Sequence, residues 1–368
     1  PALVALGMYG KINEYILSNQ FNQNDINEFP LIKAFTEYFI SINYLNPNLS
    51  FTEIGIFYFR RAAAYGVTVS YLPMFSNQKE ILFGDPHHIW KRDKKGAETH
   101  VDRTMNVWGS GGAHSTYFKK IDEIVLNIFN RPLEEQPRGI ADMGCGDGTL
   151  LKHLYELVKN NTLRGKQLEE APLLIVGADF NEDARIASAQ TLDDSGIQHH
   201  ILYADISHPA KYAKKLKSKF DIELGDLLNV RSFLDHNRIY NKPKISHPTR
   251  MTQSSGAYAY RGRLIPNHEL KENLVEHLIA WSPYVNKFGL LVLELHCLPT
   301  DLTSNNIGLT TSTAYESTHG YSDQYIIELS SFINAAKEAG LVPDTKSMAR
   351  FPDNDLATIS INLFKSEK

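Results

Sequence analysis

The sequence has little cysteine, no long apolar run and no excess of positive charge. Its 368 residues include two cysteines, Cys145 and Cys297, which excludes a disulfide scaffold and fits a reducing, cytoplasmic setting. Lys and Arg number 38 against 42 Asp and Glu, so a formal net charge of −4 offers no basic field for nucleic acid. A membrane span is not expected, because that needs roughly 18 consecutive apolar residues.

The remaining composition is that of a globular protein. Hydrophobic residues make up 42% and charged residues 22%, enough to fill a core. At roughly 100–200 residues per domain, the length predicts one large domain or two ordinary ones. No signal peptide is recognisable. Because the chain begins with Pro1 rather than Met, we expect a fragment of a longer polypeptide.

The first part of the chain has a helical pattern. Apolar residues recur at helical spacing over 31–39, and a second short helix is expected over 51–59. We predict a mainly helical lid or cap over residues 1–118. A purely structural N-terminal subdomain is an alternative of equal standing.

From about residue 120, short runs rich in β-branched residues alternate with amphipathic ones. We predict strands at 139–142, 173–178, 201–203, 227–230, 290–294 and 358–363. We predict helices at 148–159, 182–192, 268–281 and 323–339. This alternation is typical of an α/β core, here 119–368, with a parallel sheet whose ligands bind at the carboxyl ends of the strands. Residues 241–266 are predicted to form a long inserted loop.

The strongest motif, Asp142-Met-Gly144-Cys-Gly146-Asp147-Gly148, follows the first strand and opens a helix. Its glycines allow a sharp turn and close approach of a ligand, and the helix N-terminus presents free N–H groups. A dinucleotide fingerprint reads G-x-G-x-x-G, without an acid two residues before it. The spacing here resembles instead that of class I S-adenosylmethionine-dependent methyltransferases.

Two further acids support that cofactor. Asp179 ends the second strand, where a carboxylate can accept both ribose hydroxyls. Asp205 ends the third; in methyltransferases this position meets the adenine amino group, and the next residue lies against the ring. An NAD-type site that uses Asp179 is the alternative, and the motif spacing counts against it. The predicted cofactor-binding residues are Asp142, Gly144, Gly146, Asp147, Gly148, Asp179, Phe180, Asp205, Ile206 and Arg231.

Two histidines follow neighbouring predicted strands where a methyl group would be transferred. His236 and His296, with Asp235 and Gln324, could form a mixed N/O site suited to iron or manganese. The spacing alone slightly favours a single general-base histidine without metal, because no dense ligand motif is present.

Six stretches resemble the C-methyltransferase domain of polyketide synthase loading modules, as in the apratoxin and saxitoxin pathways. They are residues 99–106, 109–114, 142–152, 231–236, 294–297 and 322–325, of which Arg-Ser-Phe-Leu-Asp-His at 231–236 is the most specific. The resemblance implies a Rossmann-like fold with a seven-stranded, mostly parallel sheet. It further implies a mononuclear iron or manganese ion, and methylation of malonyl or methylmalonyl groups on an acyl carrier protein beside other synthase domains.

The same resemblance shifts the balance towards a metal site made by His236, His296 and Gln324, with Asp235 as the substitute. A metal that chelates the carboxylate and thioester oxygens stabilises the enolate as it forms. The predicted catalytic residues are His114, Asp235, His236, His296 and His319, with His114 or His319 taking the proton. The predicted substrate contacts are Arg238, which would clamp a carboxylate, Tyr258 and Tyr321.

Two other functions stay open at this point. One is metal-independent O- or N-methylation of a small molecule with a histidine base. The other is a non-catalytic, cofactor-binding spacer within a multienzyme. The sequence leaves open the number of methyl groups added and any coupled decarboxylation.

Overall fold

The computed structural model describes residues 1–94, 98–244, 252, 254–310, 312 and 320–367, with the backbone alone for 110–116. It divides into two compact units, Pro1–Tyr117 and Phe118–Lys368. None of the helices in the described ranges is long and apolar enough to cross a membrane.

The first unit is mainly helical, as the sequence predicts. Its helices are α1 (Ala2–Met8), α2 (Lys11–Ser18), α3 (Gln23–Glu28), α4 (Pro30–Ser41), α5 (Glu53–Phe59), α6 (Gly66–Ser70), α7 (Leu72–Phe75), α8 (Gln78–Phe83) and the start of α9 (Arg103–Phe129). The predicted helices at 31–39 and 51–59 correspond to α4 and α5. Thr52 caps the N-terminus of α5, because its hydroxyl accepts a hydrogen bond from the Gly55 N–H at 3.0 Å.

Aromatic rings form the core of this unit. Phe59 is fully buried, and its ring centroid lies 5.0 Å from that of Phe39 and 4.8 Å from that of Phe51. Phe21 packs edge-on to Phe59 at 5.6 Å. Edge-to-face contacts at such distances stabilise aromatic clusters beyond their buried area. The short helices are therefore held together by side chains rather than by their own length.

The second unit is built on one sheet. Its strands are β1 (Gly139–Met143), β2 (Leu174–Asp179), β3 (His200–Tyr203), β4 (Leu228–Ser232), β7 (Leu290–Leu295), β8 (Leu341–Pro343), β9 (Ala349–Phe351) and β10 (Ile359–Ser366). Seven follow the order β3-β2-β1-β4-β7-β10-β8, and β9 pairs with β10 as an eighth. The five strands from β3 to β7 are parallel, and β10 is antiparallel to β7. The predicted strand positions and mostly parallel sheet are confirmed.

Helices surround this sheet. They are α10 (Thr149–Asn161), α11 (Glu182–Asp194), α12 (Pro209–Phe220), α13 (Asn267–Val285), α14 (Thr300–Ser304) and α15 (Leu329–Glu338). Trp281 of α13 is fully buried, and its indole N–H donates to the Ile206 carbonyl at 2.7 Å. This bond ties α13 to the turn that follows β3.

The predicted helix at 323–339 is too long at its N-terminal end. Asp323 has φ +54°, and the Tyr325 N–H donates to the His236 carbonyl at 2.7 Å. The Tyr325 N–H therefore does not donate to a helical carbonyl four residues earlier. Residues 323–328 form an irregular segment, and the helix begins at Leu329.

The predicted loop at 241–266 contains two strands. β5 (Tyr258–Tyr260) and β6 (Arg263–Ile265) pair around Arg261 and Gly262, whose φ angles are +51° and +75°. Positive φ at both central residues is the geometry of the tight hairpin turn. This turn usually has Asn, Asp or Gly at its first central position, so Arg261-Gly262 did not predict a hairpin. Residues 245–251 and 253 lie outside the described ranges.

We expect Phe59→Ala to destabilise the protein by about 3–5 kcal/mol, because it empties the centre of the aromatic cluster. Phe83→Ala is the matched control, since that ring is 86% exposed. Urea unfolding followed by circular dichroism would measure both variants. Equal midpoints for the two would contradict the role given to the cluster.

Candidate active site

The glycine loop lies between β1 and α10. Gly144 and Gly148 have φ angles of +82° and +80°, which residues with a Cβ rarely adopt. A Cβ on Gly144 would lie 2.9 Å from Leu234 Cδ2, and one on Gly148 would lie 3.0 Å from Ser188 Cα. Neighbouring segments therefore pack directly on the backbone of the loop.

Asp179 is brought to this loop from the end of β2. Its Oδ2 accepts a hydrogen bond from the Gly146 N–H at 3.2 Å, and its Oδ1 accepts from the Asn181 N–H at 2.8 Å. Burial raises the pKa of Asp179 despite these bonds. Asp147, by contrast, is exposed and accepts from the Thr149 N–H at 3.0 Å, which supports the start of α10.

Asp142 is the buried acid of the motif. Its side chain is about 1% exposed, and Oδ1 has no hydrogen-bond partner among the described residues. Burial, together with the charges of Asp179 and Asp147, raises the pKa of Asp142 to about 7. A bound cation would favour the ionised carboxylate, so this end of the sheet suits a positively charged ligand.

The ends of β2 and β3 present an exposed aromatic pair. Phe180 is 52% exposed, and its ring centroid lies 5.5 Å from that of Tyr203. Asp205 accepts from the Ser207 N–H at 2.8 Å and has its Oδ2 3.1 Å from Nδ1 of His208. Ile206 is buried beside it. The predicted adenine-side residues thus lie together at one edge of the unit.

Arg231 and Asp235 form a buried ion pair, which their predicted roles did not anticipate. Nη1 of Arg231 lies 2.5 Å from Oδ1 of Asp235, and the guanidinium lies 4.0 Å from the Trp281 ring centroid. Nε2 of His277 is 3.0 Å from the same Oδ1. Burial alone would raise the pKa of Asp235, but Arg231 and His277 hold it well below its usual range. Asp235 is therefore the partner of a buried cation, and this arrangement does not fit the predicted role as a base or metal ligand. Arg231 is enclosed by Asp235 and Trp281, which does not fit the predicted contact with a cofactor.

His236 forms a second buried pair, with Glu294 at the end of β7. Nδ1 of His236 lies 2.6 Å from Oε1 of Glu294, and the His236 N–H donates to Oε2 at 3.3 Å. Because a carboxylate can only accept, the ring hydrogen is on Nδ1. Nε2 then acts as an acceptor, and Nδ2 of Asn237 lies 3.1 Å from it.

Gln324 joins this group from the irregular segment before α15. Its Nε2 donates to Oδ1 of Asn237, and its Oε1 accepts from the Ser322 hydroxyl at 3.2 Å. The structure thus brings together two of the predicted metal ligands, His236 and Gln324, through an amide that sequence reasoning had not singled out.

His296 does not share that arrangement. Nδ1 lies 3.2 Å from the Ile327 carbonyl, and Nε2 lies 2.8 Å from the Ser360 hydroxyl on β10. The side chain is fully buried, and burial lowers the pKa of His296 to about 4. With both nitrogens engaged in the core, a metal-binding or catalytic role for His296 does not fit this geometry.

The other predicted residues are less well defined. His319 and the side chain of His114 lie outside the described residues. Tyr321 is half-buried, and the Tyr258 hydroxyl lies 2.9 Å from that of Ser254 in the interior. Arg238 is buried, and its Nε donates to Oδ1 of Asn273 at 2.7 Å.

Sequence reasoning missed several polar residues that position the site. Asn273 and His277 lie four residues apart on α13, buried beside the apolar positions Leu274 and Leu278. Polar residues four positions apart among the apolar residues of a predicted helix could have been recognised in the sequence. The partnership of Glu294 with His236 had no such signal, because it depends on strands β4 and β7 being neighbours. Within the described residues, no three His, Cys, Asp or Glu side chains are grouped to hold a metal ion.

Several methyltransferases are among the solved structures that match this chain. The chain is 10% identical to the mitomycin 7-O-methyltransferase MmcR, covering 100% of this chain and 93% of that one, with a TM-score of 0.49. An O-methyltransferase family protein from Burkholderia thailandensis is 12% identical over 91% and 84%, with a TM-score of 0.49. NcsB1, an O-methyltransferase from neocarzinostatin biosynthesis, is 12% identical over 100% and 95%, with a TM-score of 0.47. No curated protein matches the chain.

Two family models match the sequence. Residues 1–85 match the AprA winged helix domain, a more specific description of the helical N-terminal region than its pattern suggested. Residues 98–362, well over half of the chain, match the AprA MT2-like domain. With the glycine loop, the strand-end acids and the strand order described above, this chain belongs to the AprA MT2-like family and is an S-adenosylmethionine-dependent methyltransferase.

Proposed function

We propose that the chain methylates the α-carbon of a malonyl or methylmalonyl group carried on the phosphopantetheine arm of an acyl carrier protein, within a polyketide synthase. The observation that carries this proposal is the buried His236–Glu294 pair at the carboxyl ends of β4 and β7. It lies on the same edge of the sheet as the glycine loop, where a methyl donor would bind.

The cofactor end supplies the affinity for S-adenosylmethionine. Asp179 orients the glycine loop through Gly146 and offers a carboxylate to the ribose. Phe180 offers an exposed ring face beside it. Asp142 provides a buried negative charge when it is ionised, which favours a sulfonium over its neutral product.

The reaction requires removal of an α-proton and attack on the S-methyl group. The α-carbon of a malonyl thioester lies between two carbonyl groups, so its proton is acidic enough for a positioned imidazole. As the C–H electron pair forms the new C–C bond, the S–CH3 bond breaks and S-adenosylhomocysteine leaves. Glu294 keeps the His236 ring in one orientation beside this step. The α-proton passes to a separate histidine base, for which His114 and His319 remain the candidates.

A mononuclear iron or manganese ion fits part of this group. A carboxylate on the far nitrogen of a histidine is the arrangement that commonly supports a metal-binding imidazole, and Glu294 holds Nδ1 of His236 in this way. Asn237 and Gln324 place their side-chain amides beside this imidazole: Nδ2 of Asn237 lies 3.1 Å from Nε2 of His236, and Nε2 of Gln324 donates to Oδ1 of Asn237. We propose His236 and Gln324 as ligands, with Asn237 in place of His296. Such an ion would stabilise the enolate as a Lewis acid.

A second candidate uses the same pair without metal. A histidine whose Nδ1 hydrogen is bound by a carboxylate is poised to accept a proton on Nε2, which suits O- or N-methylation of a small molecule. The two candidates differ in whether His236 binds an ion or a proton.

The two candidates are separated by intact-protein mass spectrometry. We expect the full chain with S-adenosylmethionine to add the mass of one CH2 to malonyl- or methylmalonyl-carrier protein. We expect chelator-treated protein to lose this activity, to regain it with iron or manganese, and to keep its affinity for the cofactor. Full activity in protein shown by elemental analysis to be metal-free would contradict the metal proposal, and transfer only to hydroxyl or amino groups would contradict C-methylation.

We expect Asp179→Ala to weaken binding of S-adenosylmethionine. Loss of a charged hydrogen-bond acceptor costs about 1.5–3 kcal/mol, which raises Kd roughly 10- to 100-fold. Asp193→Ala is the matched control, because Asp193 lies at the exposed end of α11. Isothermal titration calorimetry measures both. An unchanged affinity in Asp179→Ala would show that the ribose assignment is wrong.

We expect Asp142→Asn to stabilise the ligand-free protein in a pH-dependent way. The folded pKa of about 7 lies above the ordinary value of 3.8, so the folded state holds this proton more tightly and stability falls as pH rises between these values. The asparagine avoids that loss, so its advantage in Tm should grow from pH 4 to pH 7 and then level off. Thermal scans across this range test the expectation, with Asp193→Asn at the exposed end of α11 as control. A difference in Tm between Asp142→Asn and the unaltered protein that stays constant with pH would contradict the raised pKa of Asp142. Affinity for the cationic cofactor should fall in the same variant.

A further inference from the structure

Arg238 is a buried cation with unused hydrogen-bond donors. It is 2% exposed; Nε donates to Oδ1 of Asn273 at 2.7 Å, and Nη1 donates to the Asp235 carbonyl at 2.9 Å. These two bonds fix the plane of the guanidinium. Nη2 has no hydrogen-bond partner among the described residues. An unpaired donor on a buried charge is costly, so its retention calls for an acceptor.

Tyr325 is a second unused donor beside it. Its side chain is 1% exposed, and its hydroxyl has no partner within the described part of the chain. The Arg238 guanidinium lies 5.6 Å from the Tyr325 ring centroid, and the Tyr240 ring centroid lies 5.9 Å from that of Tyr325. Burial raises the pKa of Tyr325, so the hydroxyl keeps its hydrogen at neutral pH.

The neighbouring carboxylates make no ion pair with Arg238. Oδ1 of Asp235 lies 2.5 Å from Nη1 of Arg231, Oδ2 has no hydrogen-bond partner among the described residues, and Arg238 donates to the Asp235 backbone carbonyl. Glu294 is bound to His236. No ion pair of Arg238 occurs among the described residues. A neutral carbonyl would satisfy the donors, whereas a carboxylate would also form the charge-assisted pair that Arg238 does not make with the described carboxylates.

We propose that Arg238 and Tyr325 bind the free carboxylate of the acyl substrate. The enzyme would thereby prefer a carboxylated acyl group to the same group without the carboxylate. This inference rests on the proposed function. The backbone bond from Tyr325 to the His236 carbonyl places this carboxylate site beside the His236–Glu294 pair. An acyl group anchored by its carboxylate there would hold its α-carbon between the anchor and the thioester, near the imidazole.

The test compares malonyl-pantetheine with acetyl-pantetheine, bound to the full chain saturated with S-adenosylhomocysteine. Calorimetry should show a preference of the unaltered protein for malonyl-pantetheine of roughly 10- to 100-fold, as expected for a charge-assisted pair. Tyr325→Phe and Arg238→Gln should each lose most of this preference without changing the affinity for acetyl-pantetheine. Tyr240→Phe is the matched control, because the Tyr240 hydroxyl donates to Glu269 at 3.2 Å. This variant should keep the preference for malonyl-pantetheine.

Tyr325→Phe is the decisive variant, because it keeps the ring and its packing if Arg238→Gln fails to fold. Equal binding of the two compounds by the unaltered protein, or full discrimination in Tyr325→Phe, would overturn the inference. Methylation of malonyl-carrier protein without any such discrimination would leave the proposed function intact and remove only the carboxylate site. Discrimination without methylation would support the carboxylate site and count against the proposed function.

Discussion

The buried ion pair between Arg231 and Asp235 is the interaction on which the site depends. It closes the turn after β4, with the guanidinium on the Trp281 ring and His277 on the carboxylate. Breaking such a pair leaves a buried charge and typically costs about 3–5 kcal/mol. The pair fixes the turn that carries two site residues, because His236 follows Asp235 directly and Arg238 ends the turn. One ion pair therefore holds both groups that we assign to the substrate.

The two ends of the sheet edge have opposite electrostatic characters. At β1 and β2, burial raises the pKa values of Asp142 and Asp179, and the charge of Asp179 raises that of Asp142 further. At β4 and β7, Asp235 and Glu294 are each engaged by a basic side chain. The first end favours a cation, and the second retains a guanidinium donor for an anion. A sulfonium donor and a carboxylated acceptor would each meet the end suited to its charge.

Much of the fold was predictable because it rests on local patterns. The alternation of apolar and amphipathic segments predicted the parallel strands, since the strands are buried on both faces and read as continuous apolar runs. The errors occurred where tertiary contacts override local preference. Residues 323–328 have a helical composition, yet Tyr325 donates its backbone hydrogen to His236 rather than to its own turn. The hairpin at 258–265 was missed because each strand has only three residues.

The amino-acid sequence by itself determined the sheet, the glycine loop and the acids at the strand ends, because each is encoded by spacing along a single segment. The tertiary structure decided which polar side chains meet. His296 and Asp235 have residue types and strand-end positions typical of metal ligands, but Ser360 and Arg231 engage them in the interior. Glu294, Asn237 and Tyr325 acquire their roles from segments far apart in sequence. Pairings of that kind depend on strand order, which no local pattern records.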